Sequence, residues 1–129
     1  NNVRDWIYVK DHCRGVLKVL LKGKPGQTFL IGARKELSNL NIVKLIIRKI
    51  SIISSRNMRH KKLISFVKDR PGHDYRYAIN SNKIRDILSY KPIYNFEKVL
   101  IKTITHYIRY KKYYKNLLNN DKWFKKRNY

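Results

Sequence analysis

The strongest chemical signal in the sequence is a charged turn in the middle of the chain. It follows the apolar run 63–67, which predicts a short buried strand, and it reads Asp69-Arg70-Pro71-Gly72-His73. Pro and Gly are the usual residues at a sharp turn, and a guanidinium matches phosphate oxygens in bidentate fashion. A strand that carries Arg70 and His73 onto a tight loop can therefore hold an anion. A solvated charged loop is the commoner outcome, so the residues alone leave both interpretations open.

Short strands and amphipathic helices are predicted around this turn. Residues 3–9 and 28–32 predict extended segments, the second after a Pro25-Gly26 turn. Between them, Asp11 predicts a helix cap and Gly23 a helix end. That helix should bury an apolar stripe of Cys13, Val16, Leu17 and Leu20.

Three later helices are predicted from their caps and their apolar spacing. They start near Ser38, Asn80 and Asn95, whose side chains accept hydrogen bonds from a first helical turn. The predicted buried positions are Leu40, Val43, Ile46, Ile47 and Ile50 in the first helix, Ile84, Ile87 and Leu88 in the second, and Phe96, Leu100, Ile104, Tyr107 and Ile108 in the third. Residues 54–62 are predicted to be a polar, basic connection.

The charge balance is strongly basic, with 31 Lys and Arg against 8 Asp and Glu and a formal charge of +23. Such a balance first suggests a nucleic-acid partner. The basic residues are spread from Arg4 to Arg127 rather than gathered on one helix face, so we interpret them as a solvated surface with no specific nucleic-acid site. The single cysteine, Cys13, excludes an internal disulfide and favours a reducing cytoplasm. No apolar run has membrane-spanning length, and the chain starts without Met, as a piece of a longer protein would.

The central stretch resembles the carboxyl-terminal signature of the dTDP-glucose 4,6-dehydratases, which belong to the extended short-chain dehydrogenase/reductase superfamily. The resemblance rests on Asp-Arg-Pro-Gly-His-Asp at 69–74 followed by Arg-Tyr-Ala-Ile at 76–79. It continues in Arg4-Asp5-Trp6 near the start and in the segment 88–92. Leu30 and Ala33 stand where the family usually has Asn and Gly, which puts the geometry of that loop in question.

The resemblance implies an α/β fold, the carboxyl-terminal substrate-binding part of such an enzyme, made of helices with short strands and lacking the Rossmann core. Residues 1–110 would form this domain and residues 111–129 a basic aromatic tail. The implied partners are dTDP-glucose, an amino-terminal Rossmann domain and, for the full-length enzyme, a second subunit. The implied substrate-binding residues are Arg4, Asn39, Asp69, Arg70, Pro71, Gly72 and His73. Without the resemblance, Arg4 would be read as a salt bridge to an acid such as Asp5, and Asn39 as a helix cap.

The same family uses NAD and a catalytic Tyr-x-x-x-Lys pair, and we find neither site in this chain. No Gly-rich turn occurs, and the spacings Tyr94/Lys98 and Tyr107/Lys111 are expected by chance among ten tyrosines. The four histidines and Cys13 lack metal-ligand spacing. The resemblance therefore implies the substrate-binding portion of an NAD-dependent lyase, and the missing sites predict that this chain is inactive in isolation. The alternatives are an inactive remnant of that enzyme or a small basic nucleic-acid-binding protein.

Overall fold

The computed structural model describes residues 2–55 and 63–120, and within them it forms five helices and a pair of short strands. The elements are β1 (Val3–Asp5), α1 (Val9–Lys22), β2 (Glu36–Ser38), α2 (Asn39–Ser54), α3 (Asn82–Leu88), α4 (Phe96–Arg109) and α5 (Lys111–Asn120). The predicted α/β class of helices with short strands is confirmed. No helix of the described ranges is both long and apolar enough to cross a membrane.

The strand β1 lies between β2 and the chain segment around Tyr75 and binds to both. It pairs antiparallel with β2, with Val3 opposite Ser38 and Asp5 opposite Glu36. On its other side, the Val3 N–H donates to the Tyr75 carbonyl at 2.8 Å, and the Tyr77 N–H donates to the Val3 carbonyl at 3.1 Å. The first residues of the chain therefore lie beside the charged turn, about 70 positions further along.

The core forms where α1, α3 and two irregular segments meet. Ile84, Leu88 and Tyr90 are buried together, and Val19, Phe29 and Ile31 pack against them. The buried Tyr90 hydroxyl donates to the main-chain carbonyl of Asp11 at 3.0 Å. A second contact joins α2 to α4, where the buried side chains are Ile42, Ile47, Val99 and Ile104.

Asp11 is not the cap of α1, as the sequence suggested. The helix begins at Val9, and Asp11 lies in its first turn with 1% of its surface exposed. Its carboxylate accepts hydrogen bonds from the main-chain N–H groups of Ile93 (3.0 Å) and Tyr94 (3.2 Å) and pairs with Arg14 at 2.9 Å. It fastens the loop before α4 to α1, a contact over about 80 residues that local spacing does not reveal.

The predicted orientation of α1 is also wrong. Cys13, Val16 and Leu17 are exposed, and Leu20 retains 77% of its surface. The face turned toward the body carries the buried residues Asp11 and Gly15 instead. A Cβ at position 15 would lie 2.9 Å from Ile31, so the helix backbone approaches the core closely there.

Neither predicted strand outside β1 forms. Residues 63–67 and 28–32 are irregular in the structure, and Phe66 and Val67 expose 81% and 88% of their surface. A strand needs a neighbouring strand for its main-chain hydrogen bonds. No strand of the described ranges pairs with either segment, so β-forming residues alone were insufficient to make these segments strands.

Several helix-end signals are confirmed. Gly23 follows the end of α1, and the Asn95 side chain caps α4 by accepting from the Lys98 N–H at 3.1 Å. Asn80 is not the cap of α3, because the residue at the cap position is Ser81. The Asn80 side chain accepts from the Asn82 N–H at 3.0 Å from one position earlier, and α3 ends before Ser89.

The buried stripes are confirmed only in part. Among the predicted positions, Ile47, Ile84, Leu88 and Ile104 are buried, whereas Val43, Ile87, Tyr107 and Ile108 are exposed. The tail forms α5 up to Asn120, and its Tyr114 packs against Tyr107 on α4. Most of the predicted connection 54–62 and the tail beyond 120 lie outside the described residues.

Candidate anion-binding site

The predicted turn is confirmed and has a defined geometry. Residues 70–73 close a four-residue turn in which the His73 N–H donates to the Arg70 carbonyl at 3.3 Å. Pro71 occupies its second position, and Gly72, at φ +69°, its third. This is the pattern of a type II turn, which needs a positive φ at the third position and therefore favours Gly. Pro71 and Gly72 thus shape the loop that carries Arg70 and His73.

His73 links two parts of the chain through both ring nitrogens. Its Nδ1 lies 2.6 Å from Asp69 Oδ1, and its Nε2 lies 2.8 Å from Arg4 Nη2. Because a guanidinium can only donate, Nε2 must accept, and the ring hydrogen sits on Nδ1 and points at Asp69. The chain Arg4–His73–Asp69 joins the first motif of the sequence to the central one.

Asn2 completes this network, although the sequence gave no reason to select it. Its side-chain amide donates to Asp69 Oδ2 at 3.1 Å. The hydrogen bond from His73, supported by those from Asn2 and from the Arg70 N–H, lowers the pKa of Asp69 to about 2. Asp69 therefore stays ionised at neutral pH and fixes the His73 ring rather than acting as an acid.

Arg4 is held in place by main-chain carbonyls of two segments. Its Nη1 donates to Val3 O at 2.6 Å and Tyr75 O at 3.3 Å, and its Nη2 donates to Asp74 O at 3.2 Å. The guanidinium also lies over the Tyr77 ring, 4.4 Å from its centroid. The side chain is thereby preorganised, with its two terminal nitrogens already facing protein acceptors.

Tyr77 is itself anchored within the same loop. Its hydroxyl donates to the Asp74 carboxylate at 2.5 Å, and this hydrogen bond raises the pKa of Tyr77. Tyr77 thus remains a neutral phenol whose ring supports Arg4. It belongs to the motif that the sequence indicated, but its position under Arg4 appears only in the structure.

Arg4 pairs neither with Asp5 nor with another acid among the described residues, so the salt-bridge interpretation of Arg4 is wrong. The Asp5 carboxylate instead accepts three main-chain N–H groups, from Ala33 (2.9 Å), Arg34 (3.1 Å) and Lys35 (2.8 Å). Arg34 adopts φ +55° in this loop. The carboxylate therefore holds together the loop that contains Ala33.

Arg70 and Asn39 offer their side chains to solvent. Both are exposed, and neither side chain has a hydrogen-bond partner among the described residues. The cap of α2 is Ser38, whose hydroxyl accepts from the Asn41 N–H at 3.2 Å, so Asn39 is not the cap. The Asn39 N–H donates to Asn2 O at 2.9 Å, which places the start of α2 next to the network around Asp69.

The site therefore gathers residues from three separate stretches of sequence. Arg4 and His73 are hydrogen-bonded directly, Arg70 extends from the same turn, and Asn39 adjoins them through Asn2. The Arg70 guanidinium and the N-terminus of α2 are each suited to phosphate, because both present N–H donors and positive charge.

Comparison with protein-family models gives a match over residues 1–103 to the family described as GDP-mannose 4,6 dehydratase. This stretch includes every residue of the candidate site. The chain belongs to the GDP-mannose 4,6 dehydratase family. The resemblance to 4,6-dehydratases that the sequence predicted is thereby confirmed.

Among curated proteins, the chain resembles dTDP-glucose 4,6-dehydratases. It is 39% identical over 121 residues to that of Neisseria meningitidis serogroup B, covering 91% of this chain and 34% of the relative. It is 38% identical over 123 residues to dTDP-glucose 4,6-dehydratase 1 of Escherichia coli K12, covering 95% and 31%. The chain thus spans about a third of the length of these relatives.

Solved structures give the same relationship. The chain superposes on the dTDP-glucose 4,6-dehydratase of Bacillus anthracis in complex with NAD with a TM-score of 0.72 and 36% identity, over 90% of this chain and 34% of that one. The enzyme from Streptomyces venezuelae with NAD and TYD bound gives a TM-score of 0.77 and 31% identity, over 87% and 33%. The fold is therefore that of about one third of a dTDP-glucose 4,6-dehydratase chain.

Proposed function

We propose that this chain is the carboxyl-terminal, nucleotide-sugar-binding portion of a dTDP-glucose 4,6-dehydratase. The observation that carries the proposal is the hydrogen-bonded link between Arg4 and His73, which unites two motifs 69 positions apart at one anion-binding surface. The similarity to dehydratases from Neisseria and Escherichia supports the choice of substrate class.

In this proposal both arginines bind the diphosphate of the nucleotide sugar, each in a different way. Arg70 has a free guanidinium and supplies the principal bidentate contact. Arg4 contributes charge and its remaining N–H donor, and it can exchange its longest contact, 3.3 Å to Tyr75 O, for a phosphate oxygen. His73 and Asn39 provide further polar contacts. Asp69 acts by fixing His73 rather than by touching the anion, since two negative groups repel.

In the complete enzyme, the resemblance implies an NAD-dependent loss of water from C5 and C6 of the sugar. The described residues of this chain contain no strand–glycine-turn–helix unit for a dinucleotide, so they do not fit NAD, and we assign no step of hydride transfer to them. Their role is to bind and orient the nucleotide sugar for the amino-terminal domain. We further propose a cytoplasmic homodimer for the complete enzyme.

A calorimetric titration with dTDP tests the site in a chimera that joins the amino-terminal part of the N. meningitidis relative to this chain. Hydrogen bonds to charged groups contribute about 1.5–3 kcal/mol each, so Arg70→Ala should weaken dTDP binding by roughly tenfold to a hundredfold. Arg70→Lys should recover only part of the loss, because a point charge does not reproduce the planar fork.

Arg48→Ala is the matched control, since it removes the same charge from an exposed position on α2. It lies nine residues beyond Asn39, about 13 Å along the helix. We expect it to leave dTDP binding within about twofold of the parent. Equal losses for Arg70→Ala and Arg48→Ala would show that general positive charge, and not this site, binds the nucleotide.

A further inference from the structure

A small cavity lies between the loop at 32–34, the helix α3 and the segment 90–92, and we call it the α3 cavity. Ser81, just before α3, and Arg85, within it, line one side, and none of the candidate-site residues described above lines the cavity. Its volume is about 190 Å³, below the roughly 300–1,000 Å³ of pockets that enclose a drug-sized ligand. The α3 cavity therefore suits a small molecule or ion and not a nucleotide.

Three positively charged side chains line the α3 cavity, those of Arg34, Arg85 and Lys91, and no carboxylate of the described residues does. All three carry hydrogen-bond donors and no acceptor. The Lys91 ammonium has no hydrogen-bond or ion-pair partner within the described part of the chain, and the Arg34 side chain uses only Nη2, on the Asn82 side-chain oxygen. The Arg85 Nε pairs with Asp86 at 2.9 Å, a weak exposed pair. Most of these donors are therefore free to bind an added acceptor.

The Ser81 hydroxyl is the observation that points to a ligand. Ser81 retains 7% of its surface, and its side chain has no hydrogen-bond partner among the described residues. No side-chain oxygen or nitrogen of those residues is both sealed from solvent and without a partner, so the hydroxyl opens onto the cavity that Ser81 lines. Buried polar groups are normally hydrogen-bonded, and a molecule in the α3 cavity would supply the missing partner.

Two carboxylates outside the cavity fix the segments that carry these charges. Asp5 binds the main-chain N–H groups of residues 33–35 and thereby holds the loop that presents the Arg34 side chain. On the other wall, the Tyr90 hydroxyl donates to the Asp11 carbonyl, and the Asp11 carboxylate binds the N–H groups of residues 93 and 94. The main chain on both sides of Lys91 is thus anchored. The cationic side chains therefore extend from fixed main chain and not from loose loops.

We propose that the α3 cavity binds a small phosphate anion, either free or as the end group of a small ester. Guanidinium groups match phosphate oxygens in bidentate fashion, and the Lys91 ammonium adds a third positive charge. The Ser81 hydroxyl donates to a remaining oxygen. The volume corresponds to about six water molecules, which accommodates a phosphate group with a few further atoms. The site shares no residue with the proposed nucleotide site, and it does not depend on the proposed function.

A titration of the isotope-labelled, full-length 129-residue chain with inorganic phosphate tests the site, with amide NMR signals as the readout. The ionic strength is held constant with sodium chloride, because general attraction to a basic protein is screened by salt. We expect the amide signals of Arg34, Ser81 and Lys91 to shift together and to saturate with one dissociation constant. Chloride alone should produce no saturable shift at these three positions.

Two substitutions separate a shaped site from general positive charge. Ser81→Ala removes no charge and no side-chain hydrogen bond of the free chain, so its urea midpoint should stay at the parental value, whereas phosphate binding should weaken roughly two- to tenfold. Lys91→Gln should weaken binding by about tenfold or more, because hydrogen bonds to charged groups are stronger. The matched control is Arg48→Gln, which removes an exposed charge on α2 outside the cavity and should leave binding within about twofold of the parent.

Arg70→Ala distinguishes the α3 cavity from phosphate bound at the turn 70–73. That variant should leave the titration of the Ser81 and Lys91 amides unchanged. A parallel titration with glycerol 3-phosphate identifies the source of the phosphate: tighter binding than that of inorganic phosphate assigns the cavity to an ester, and weaker binding assigns it to the free anion.

Shifts confined to the turn 70–73 would overturn the proposal, as would equal losses of affinity for Lys91→Gln and Arg48→Gln. Parental affinity in Ser81→Ala would overturn it as well, because the anion would then respond to charge alone and the buried hydroxyl would take no part in binding.

Discussion

Replacement of Asp11 should destabilise the fold more than replacement of any exposed acid. The carboxylate is 1% exposed and accepts from the N–H groups of Ile93 and Tyr94 and from Arg14. Asp11→Ala leaves two main-chain donors without their acceptor in a partly buried loop. Breaking a buried charged network costs about 3–5 kcal/mol, but Arg14 retains 38% of its side-chain surface and can be rehydrated, which favours the lower value. We therefore expect Asp11→Ala to lower the free energy of unfolding by about 3 kcal/mol.

Urea unfolding, followed by circular dichroism at neutral pH, measures this loss in the free chain. Asp11→Asn should cost roughly half as much, because its amide oxygen can still accept from one of the two N–H groups. The control is Asp86→Ala, which removes a carboxylate that is 60% exposed and pairs with Arg85. Exposed pairs contribute about 0–1 kcal/mol. If Asp11→Ala lost no more stability than Asp86→Ala, the assignment of Asp11 as the anchor of the loop before α4 would be wrong.

Three further predictions concern the site loops and the charge. The folded-state pKa of Asp69 is lowered to about 2 from 3.8, so the contribution of this carboxylate to stability should be complete above pH 4 and lost as the pH falls toward 2. Across that range the urea midpoint of unfolding should therefore fall less in Asp69→Asn than in the parent. Identical profiles of midpoint against pH would contradict the prediction. Gly32→Ala should lower the free energy of unfolding, measured in urea, by about 1–3 kcal/mol, because its Cβ would lie 2.5 Å from Asp5 Oδ2 and 2.8 Å from Ile79 Cβ. An unchanged urea midpoint would show that the loop moves to make room for the methyl group. Binding of single-stranded DNA should be sequence-independent and should weaken steeply between 50 and 200 mM salt, roughly as expected for counterion release, whereas sequence-selective binding at physiological salt would favour a nucleic-acid function.

Short-range features of this protein could be predicted from the sequence. The turn at Pro71-Gly72 forms as expected because the φ preferences of these two residues select it locally. The helix start at Asn95 and the helix end at Gly23 follow for the same reason, since caps satisfy main-chain groups only a few residues away. The motif at 69–74, matched to a known family, also selected the residues around which the candidate site forms.

The tertiary structure decided which surfaces face inward and which side chains meet. Asp11 looked like a cap, but its partners Ile93 and Tyr94 are more than 80 positions away. The stripe of α1 has the spacing of a buried face, and periodicity identifies a face without stating what covers it. The β-forming residues at 28–32 likewise become a strand only where a neighbouring strand supplies main-chain hydrogen bonds. Asn2 lies beside Asp69 and His73 because β1 pairs with the chain near Tyr75, a contact between distant segments that no local pattern encodes.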